Sequence, residues 1–234
     1  MIPAVSTKFR GGGGDPYFSQ VALLMHMDGS NGSTTFIDSS SHGASFSASG
    51  AAALSTAQFK FGTASLLLNG GDEINASVGA QFDAPSGTSY TVEAWVYVTG
   101  DDPTGRARGV ISKRQPLGDT GWSCGLTPTG NPRIFFYSSS GGNSSGSIVM
   151  SENAWHYLAW VCDGSRIAMY VDGVLDTTIS GGVFGVNSYP VWIGADRGDV
   201  EFMNGYIDEV RVTNGVARYS GSTMPVQSAA WPNF

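Results

Sequence analysis

Apolar residues recur along this chain mostly with a period of two. The segment SYTVEAWVYVTG (89–100) shows this best: Tyr90, Val92, Ala94, Val96 and Val98 fall on one face of an extended chain, and Thr91, Glu93, Trp95 and Tyr97 on the other. Large apolar groups on both faces predict a central strand covered on both sides. Strand-like runs also occur at VALLMHM (21–27), ASFSAS (44–49), KFGTASLLLNG (60–70), RGVISKR (108–114), WSCGLT (122–127) and RIFFYSS (133–139). WHYLAWVCDG (155–164), RIAMYVDGVL (166–175), VWIGAD (191–196) and GYIDEVRVTN (205–214) complete the set. Asp163-Gly164 and Asp172-Gly173 supply tight turns, because glycine accepts positive φ without a Cβ clash. No stretch of helical length has a 3.6-residue period. Roughly a dozen short strands predict an all-β fold, a large two-sheet antiparallel sandwich forming one domain over residues 21–234.

The first twenty residues differ. Gly11, Gly12, Gly13 and Gly14 form a flexible joint, and Pro3 and Pro16 exclude a regular ladder around it. Residues 1–20 are expected to be an extended arm, with Phe9, Arg10, the four glycines and Tyr17 as its contacts. Packing on its own domain or docking on a neighbouring subunit would hold it. The tail beyond residue 214 reads as irregular, with one short helical turn.

Composition narrows the function classes. Only 13% of the residues are charged, and 33 are glycine, as suits many strands joined by tight turns. A net charge of −7 argues against a nucleic-acid partner, which needs clustered Lys and Arg. No apolar run approaches the length of a membrane span. The opening MIPAVSTKFRGGGGDPYF lacks an apolar signal core and a small-residue cleavage site, so no secretory signal is expected. Asn31, Asn75 and Asn143 head Asn-x-Ser sequons, read as chance matches in Ser-rich text. Cys124 and Cys162 sit in apolar strand text and read as buried thiols; a disulfide would require neighbouring strands.

The order of elements carries a resemblance. YTVEAWVYV, VISK, AWHYLAWVCDGSRIAMYVDGV, VWIG and GYIDEVRV, preceded by LLMHMDG and KFGTASLLLNG, resemble the successive strands of laminin-G-like, concanavalin-A-like lectin/glucanase domains over about residues 21–214, which implies a two-sheet antiparallel jelly-roll sandwich. A narrower resemblance, in LLMHMDGSNGSTTFIDSS with IDEVRVTNGVARYS, is to domains carried by tailed-bacteriophage virion proteins. It implies a non-catalytic capsid decoration, head fibre or tail appendage. That protein would assemble in the host cytoplasm in several copies, be tethered to other virion proteins by the arm, and bind host surface glycans. A stand-alone lectin domain is the alternative, and a glycoside hydrolase the least favoured reading.

The candidate chemistry is sparse. Glucanases of this superfamily alternate carboxylates along one strand, so that nucleophile and acid/base share a face. Here Glu93 stands alone, and adjacent Asp208 and Glu209 are expected on opposite faces. His26, His42 and His156 lack zinc-ligand spacing, and no Gly-x-Ser-x-Gly elbow accompanies them, although Ser is too abundant for counting to exclude a triad. No catalytic residue is assigned. The resemblance implies one structural Ca²⁺ at Asp28 and Asp208; the alternative has Asp208 capping a turn or pairing with Arg211. A sugar surface needs exposed aromatic faces beside amides and carboxylates, and the loop-like candidates are Trp122, Tyr137, Asn143, Tyr189, Asp196, Arg197 and Asp199. Trp95, Trp155, Trp160 and Trp192 are expected to fill the space between the sheets.

Overall fold

The structure, a computed structural model, describes residues 14–77, 79–101, 105–114, 120–128, 131–139, 142–196 and 200–234. Strands are numbered in chain order. The larger sheet has eight strands, in the order β13 (Val174–Ser180), β12 (Arg166–Val171), β11 (Trp155–Asp163), β6 (Ser89–Val98), β17 (Asn204–Asn214), β4 (Ser65–Asn69) and β3 (Ala53–Ser55), with β1 (Val21–Met25) also paired to β17. The second sheet has seven: β10 (Gly142–Ser145), β9 (Ile134–Ser138), β8 (Gly121–Leu126), β7 (Arg108–Arg114), β14 (Val191–Ile193), β5 (Glu73–Ala76) and β2 (Phe46–Ser49). A hairpin of β15 (Ala195–Asp196) and β16 (Val200–Phe202) is separate. The neighbouring strands pair antiparallel, as in β11 with β6 and β7 with β8.

The period-two reading of β6 holds. Tyr90, Val92, Ala94, Val96 and Val98 lie in the core between the sheets, with Trp160, Trp122, Phe136 and Phe184. Trp95 faces outward into a second apolar layer with Val21, Leu24, Tyr157 and Tyr170, and Met224 and Trp231 of the C-terminal tail cover it. The tail therefore explains why β6 carries large apolar groups on both faces. The expected tryptophan filling needs correction. Trp160 lies between the sheets, but Trp95 and Trp155 face the outer layer. Trp192 alternates with the core residues Val191 and Ile193 and so points off the opposite side.

Three further expectations change. Residues 60–64 are not strand; β4 begins at Ser65, because the backbone N–H groups of Lys60, Phe61 and Thr63 are taken by carboxylates and Gly62 adopts φ +67°. The described tail contains no helical turn; the 3₁₀ turns are at Phe18–Gln20 and Ala80–Phe82. Residues 14–20 are docked on their own domain, so the domain begins before Val21. Asp15 donates its N–H to the Phe234 carbonyl at 2.8 Å, and the Arg218 guanidinium lies over the Tyr17 ring at 5.4 Å. The arm residues Phe9, Arg10, Gly11, Gly12 and Gly13 lie outside the described residues. Cys124 and Cys162 are free, buried thiols, on β8 of one sheet and β11 of the other.

Candidate functional site

The outer face of the seven-stranded sheet collects most of the placed candidates. Along β9, Ile134 and Phe136 point into the core, so Phe135 and Tyr137 point out, and both are half-buried. Their cross-strand partners on edge strand β10 are Ser145 and Asn143, both exposed. On the other side Tyr137 reaches over Ser123 of β8 to β7, where the Arg114 guanidinium stacks 3.5 Å from the ring centroid. Arg114 is held by Asp196, whose Oδ2 accepts from Nη1 at 2.8 Å. The β15–β16 hairpin delivers Asp196 by lying across β7: Ser112 Oγ donates to the Ala195 carbonyl at 2.9 Å, and Gly109 leaves room for the backbone at Ala195–Asp196. Strand β9 is pinned from behind, because Trp160 Nε1 donates to the Phe135 carbonyl across the core at 2.8 Å. The result is a fixed aromatic ring beside an amide and hydroxyls, the chemistry that stacks on sugar C–H faces and reads hydroxyls.

Tyr137 and Asn143 thus come together as sugar-surface candidates, while Asp196 is fully buried behind them as the support of Arg114; Trp122 does not join them. Its ring is fully buried, 5.0 Å from Phe184 and 6.1 Å from Tyr90, because its cross-strand partners Lys113 and Ser138 place it on the core side. Tyr189 is half-buried on a loop that Asn187 ties to the end of β7, donating from Nδ2 to the Lys113 carbonyl. Arg197 and Asp199 lie outside the described residues. Arg114, Phe135 and Ser145 were missed. The alternation Arg133-x-Phe135-x-Tyr137 was the available signal for Phe135, whereas Arg114 and Ser145 depend on strand pairing.

The carboxylates are engaged structurally. Glu93 is fully buried and accepts from Arg211 Nε at 2.9 Å, from Tyr219 at 2.6 Å and from the Tyr157 hydroxyl. Asp15 joins the same Arg211 at 3.2 Å and Arg218 at 2.6 Å. Asp208 and Glu209 do not point to opposite faces. A bulge with Glu209 at φ 49° interrupts the β17–β6 register, so both side chains serve the outer layer while Val210 resumes the core side. Asp208 caps the 60–61 turn: its Oδ2 accepts the Lys60 and Phe61 N–H groups at 2.7 and 3.2 Å, and its Oδ1 accepts the Glu209 N–H at 2.8 Å. Asp28 accepts the N–H and hydroxyl of Thr63. Both carboxylates face N–H donors, where Ca²⁺ requires carbonyl and carboxylate oxygens. No group of three acidic, His or Cys residues suited to a metal occurs among the described residues. The Asp28–Asp208 pair therefore does not fit the Ca²⁺ that the resemblance implied.

A Ser-His-Asp chain does form. His156 Nδ1 meets Asp172 Oδ2 at 2.7 Å, and Nε2 meets Ser151 Oγ at 3.2 Å. Nε2 also faces the Ser151 backbone carbonyl at 3.1 Å. Ser151 thus presents both its hydroxyl and its backbone carbonyl to one ring nitrogen, which ties the loop before β11 to the His156–Asp172 pair.

His26 fastens the tail. Nδ1 donates to Glu209 Oε1 at 2.8 Å and Nε2 to Asn233 Oδ1 at 2.7 Å, while Glu209 Oε2 accepts from Gln227 and from the Trp231 N–H. Burial alone would lower the His26 pKa; the hydrogen bond and charge of Glu209 outweigh it, with smaller help from Asn233 and Asp28, and raise it to about 9. The folded state therefore binds this proton more tightly than the unfolded chain. The resulting stability is fully present below about pH 6.5 and is lost as pH rises through about 9. Comparing thermal melts of wild type and His26→Gln should show a difference on the order of 2–3 kcal/mol at pH 6 that shrinks by pH 9.5. Burial, with the Glu209 charge, pushes Asp208 up to about 7 against its N–H bonds; its contribution is lost between about pH 4 and 7, below the His26 window.

Comparison with known proteins agrees with this architecture. Residues 68–218 match the profile of the concanavalin A-like lectin/glucanases superfamily in its laminin-G form, and the chain belongs to that family. No curated protein sequence matches it. Among solved structures, domain 4 of AbnA, a GH43 extracellular arabinanase from Geobacillus stearothermophilus in complex with arabinotriose, is 20% identical with a TM-score of 0.63. That match covers 84% of this chain and 93% of that one. The binding domain of Paraclostridial Mosquitocidal Protein 1 is 12% identical with a TM-score of 0.64, over 84% and 49% of the two chains. A structure of botulinum neurotoxin type C, whose cell entry depends on two ganglioside molecules, is 14% identical with a TM-score of 0.59, over 84% and 48%. The chain spans about half the length of these toxin domains, and at such identities the likeness is one of fold. No helix among the described residues is long and apolar enough to cross a membrane.

Proposed function

We propose that this chain is a non-catalytic glycan-binding module whose sugar surface is the outer face of the seven-stranded sheet. The observation that carries the reading is the Tyr137 ring, held by Arg114 and Asp196 beside Asn143, Ser145 and Phe135. A ring immobilised before binding loses little side-chain entropy when a sugar stacks on it. The arabinotriose complex of the arabinanase domain and the ganglioside dependence of the type C toxin support glycan recognition by relatives of this fold. Glu93, the lone acid of the strand where a glucanase would alternate carboxylates, is occupied by Arg211 and two tyrosines, which disfavours hydrolysis. The setting that fits the sequence resemblance is a bacteriophage virion, with the arm ahead of Gly14 tethering several copies to other virion proteins and the sandwich presented to host glycans.

The test is a glycan array followed by calorimetry on the bound sugars. Tyr137→Ala should weaken binding at least tenfold, about 1.4 kcal/mol or more, and leave the folded domain intact by circular dichroism. An array without hits, or full affinity in Tyr137→Ala, would end this reading.

A further inference from the structure

The outward row of β9 extends one position beyond its aromatics. Ile134 is a core residue, so Arg133, Phe135 and Tyr137 share the outer side, and Arg133 is exposed. Its backbone is fixed: the carbonyl accepts the Thr127 N–H at 2.9 Å, and the N–H donates to Thr127 Oγ1 at 3.1 Å. Its guanidinium makes no ion pair or hydrogen bond with any described residue. The other arginines of this sheet are engaged: Arg114 with Asp196, and Arg108 with Asp101, Glu152 and two backbone carbonyls. Asp176 of β13 is also occupied, since it accepts the N–H groups of Ser147 and Ile148 and the Ser147 hydroxyl. The row from Arg133 to Tyr137 spans about 13 Å at roughly 3.3 Å per residue, enough for two or three sugar rings.

We propose that the Arg133–Phe135–Tyr137 row selects acidic saccharides, its aromatics stacking on sugar rings and the Arg133 guanidinium pairing with a sugar carboxylate. This deepens the glycan-binding reading and rests on it. A planar guanidinium matches a carboxylate with two parallel hydrogen bonds. The chain's charge of −7 does not oppose this at contact range, because charges more than about 8 Å apart are screened at physiological ionic strength.

The test uses the full chain with three probes in calorimetry: a galacturonic acid hexamer, its methyl ester, and sialyllactose. The ester keeps the backbone and removes the charge. The acid hexamer should bind at least tenfold tighter than the ester, and Arg133→Met should remove that difference while leaving ester binding unchanged. Arg133-dependent binding of sialyllactose alone would also support the inference and assign the carboxylate to a terminal sialic acid. Equal binding of acid and ester, both weakened by Tyr137→Ala and indifferent to Arg133→Met, would overturn charge selection and leave the glycan reading standing. Binding of none of the three probes, with array hits confined to neutral sugars, would overturn it likewise. An array with no hits would remove both. Because the Arg133 side chain has no partner among the described residues and is exposed, Arg133→Met should melt as wild type does, so lost binding will not reflect lost folding.

Discussion

Arg211→Ala should destabilise the domain more than any other single polar truncation, by about 3–5 kcal/mol. Arg211 lies fully buried on β17 between two carboxylates, Glu93 of β6 and Asp15 of the N-terminal segment, and its guanidinium lies 4.1 Å from the Trp231 ring of the tail. Removing it leaves Glu93 buried with two tyrosine hydroxyls and a long contact to Arg218, 3.9 Å away, and a poorly compensated buried charge costs far more than a lost surface pair. Asp15 keeps Arg218, so the damage centres on Glu93. Glu93→Gln with Arg211→Met removes both charges of the pair and should recover much of the loss. Urea unfolding of wild type, both single variants and the double variant supplies the cycle. A loss under 1 kcal/mol in Arg211→Ala would mean that water reaches Glu93.

Gly109→Val should abolish sugar binding while leaving the sandwich folded. A Cβ at Gly109 would meet the backbone at Ala195 and Asp196, at 2.1 and 2.2 Å, and neither is the movable end of a side chain. The hairpin must then lift off β7, taking Asp196 from Arg114 and releasing the Tyr137 ring that Arg114 holds. Overpacking of this kind costs typically about 1–3 kcal/mol, a fraction of a domain's stability. Binding to the array sugars should fall at least tenfold while far-ultraviolet circular dichroism keeps its β signature. Ser112→Ala, which only deletes the hydroxyl bond to Ala195, should show a weaker form of the same effect. Unchanged binding in Gly109→Val would separate the hairpin from the site.

What could be read from the residues and what could not divide along a physical line. Period-two alternation is local, so the faces of β6, the hairpin of β11 and β12, and the burial of Cys124 and Cys162 were legible. Trp122 was misplaced for the opposite reason. Its run is short and flanked by glycine and serine, and only its pairing with Lys113 and Ser138 shows which side is the core. Asp208 and Glu209 defeated the alternation rule because one bulge residue reverses parity, and nothing in IDEVR announces it.

The sequence by itself determined the class of fold, since strand periodicity and Asp-Gly turns depend on residues a few positions apart. Tertiary structure alone brought Tyr137, Arg114 and Asp196 together, because they come from β9 and β7 of one sheet and from the separate β15–β16 hairpin, an arrangement not written in any one of these segments. It also decided the fate of the charges. Whether Glu93 is a catalytic acid or a buried anchor depends on an arginine 118 residues away, and only the folded chain sets the burial and distance that make such a pair strong.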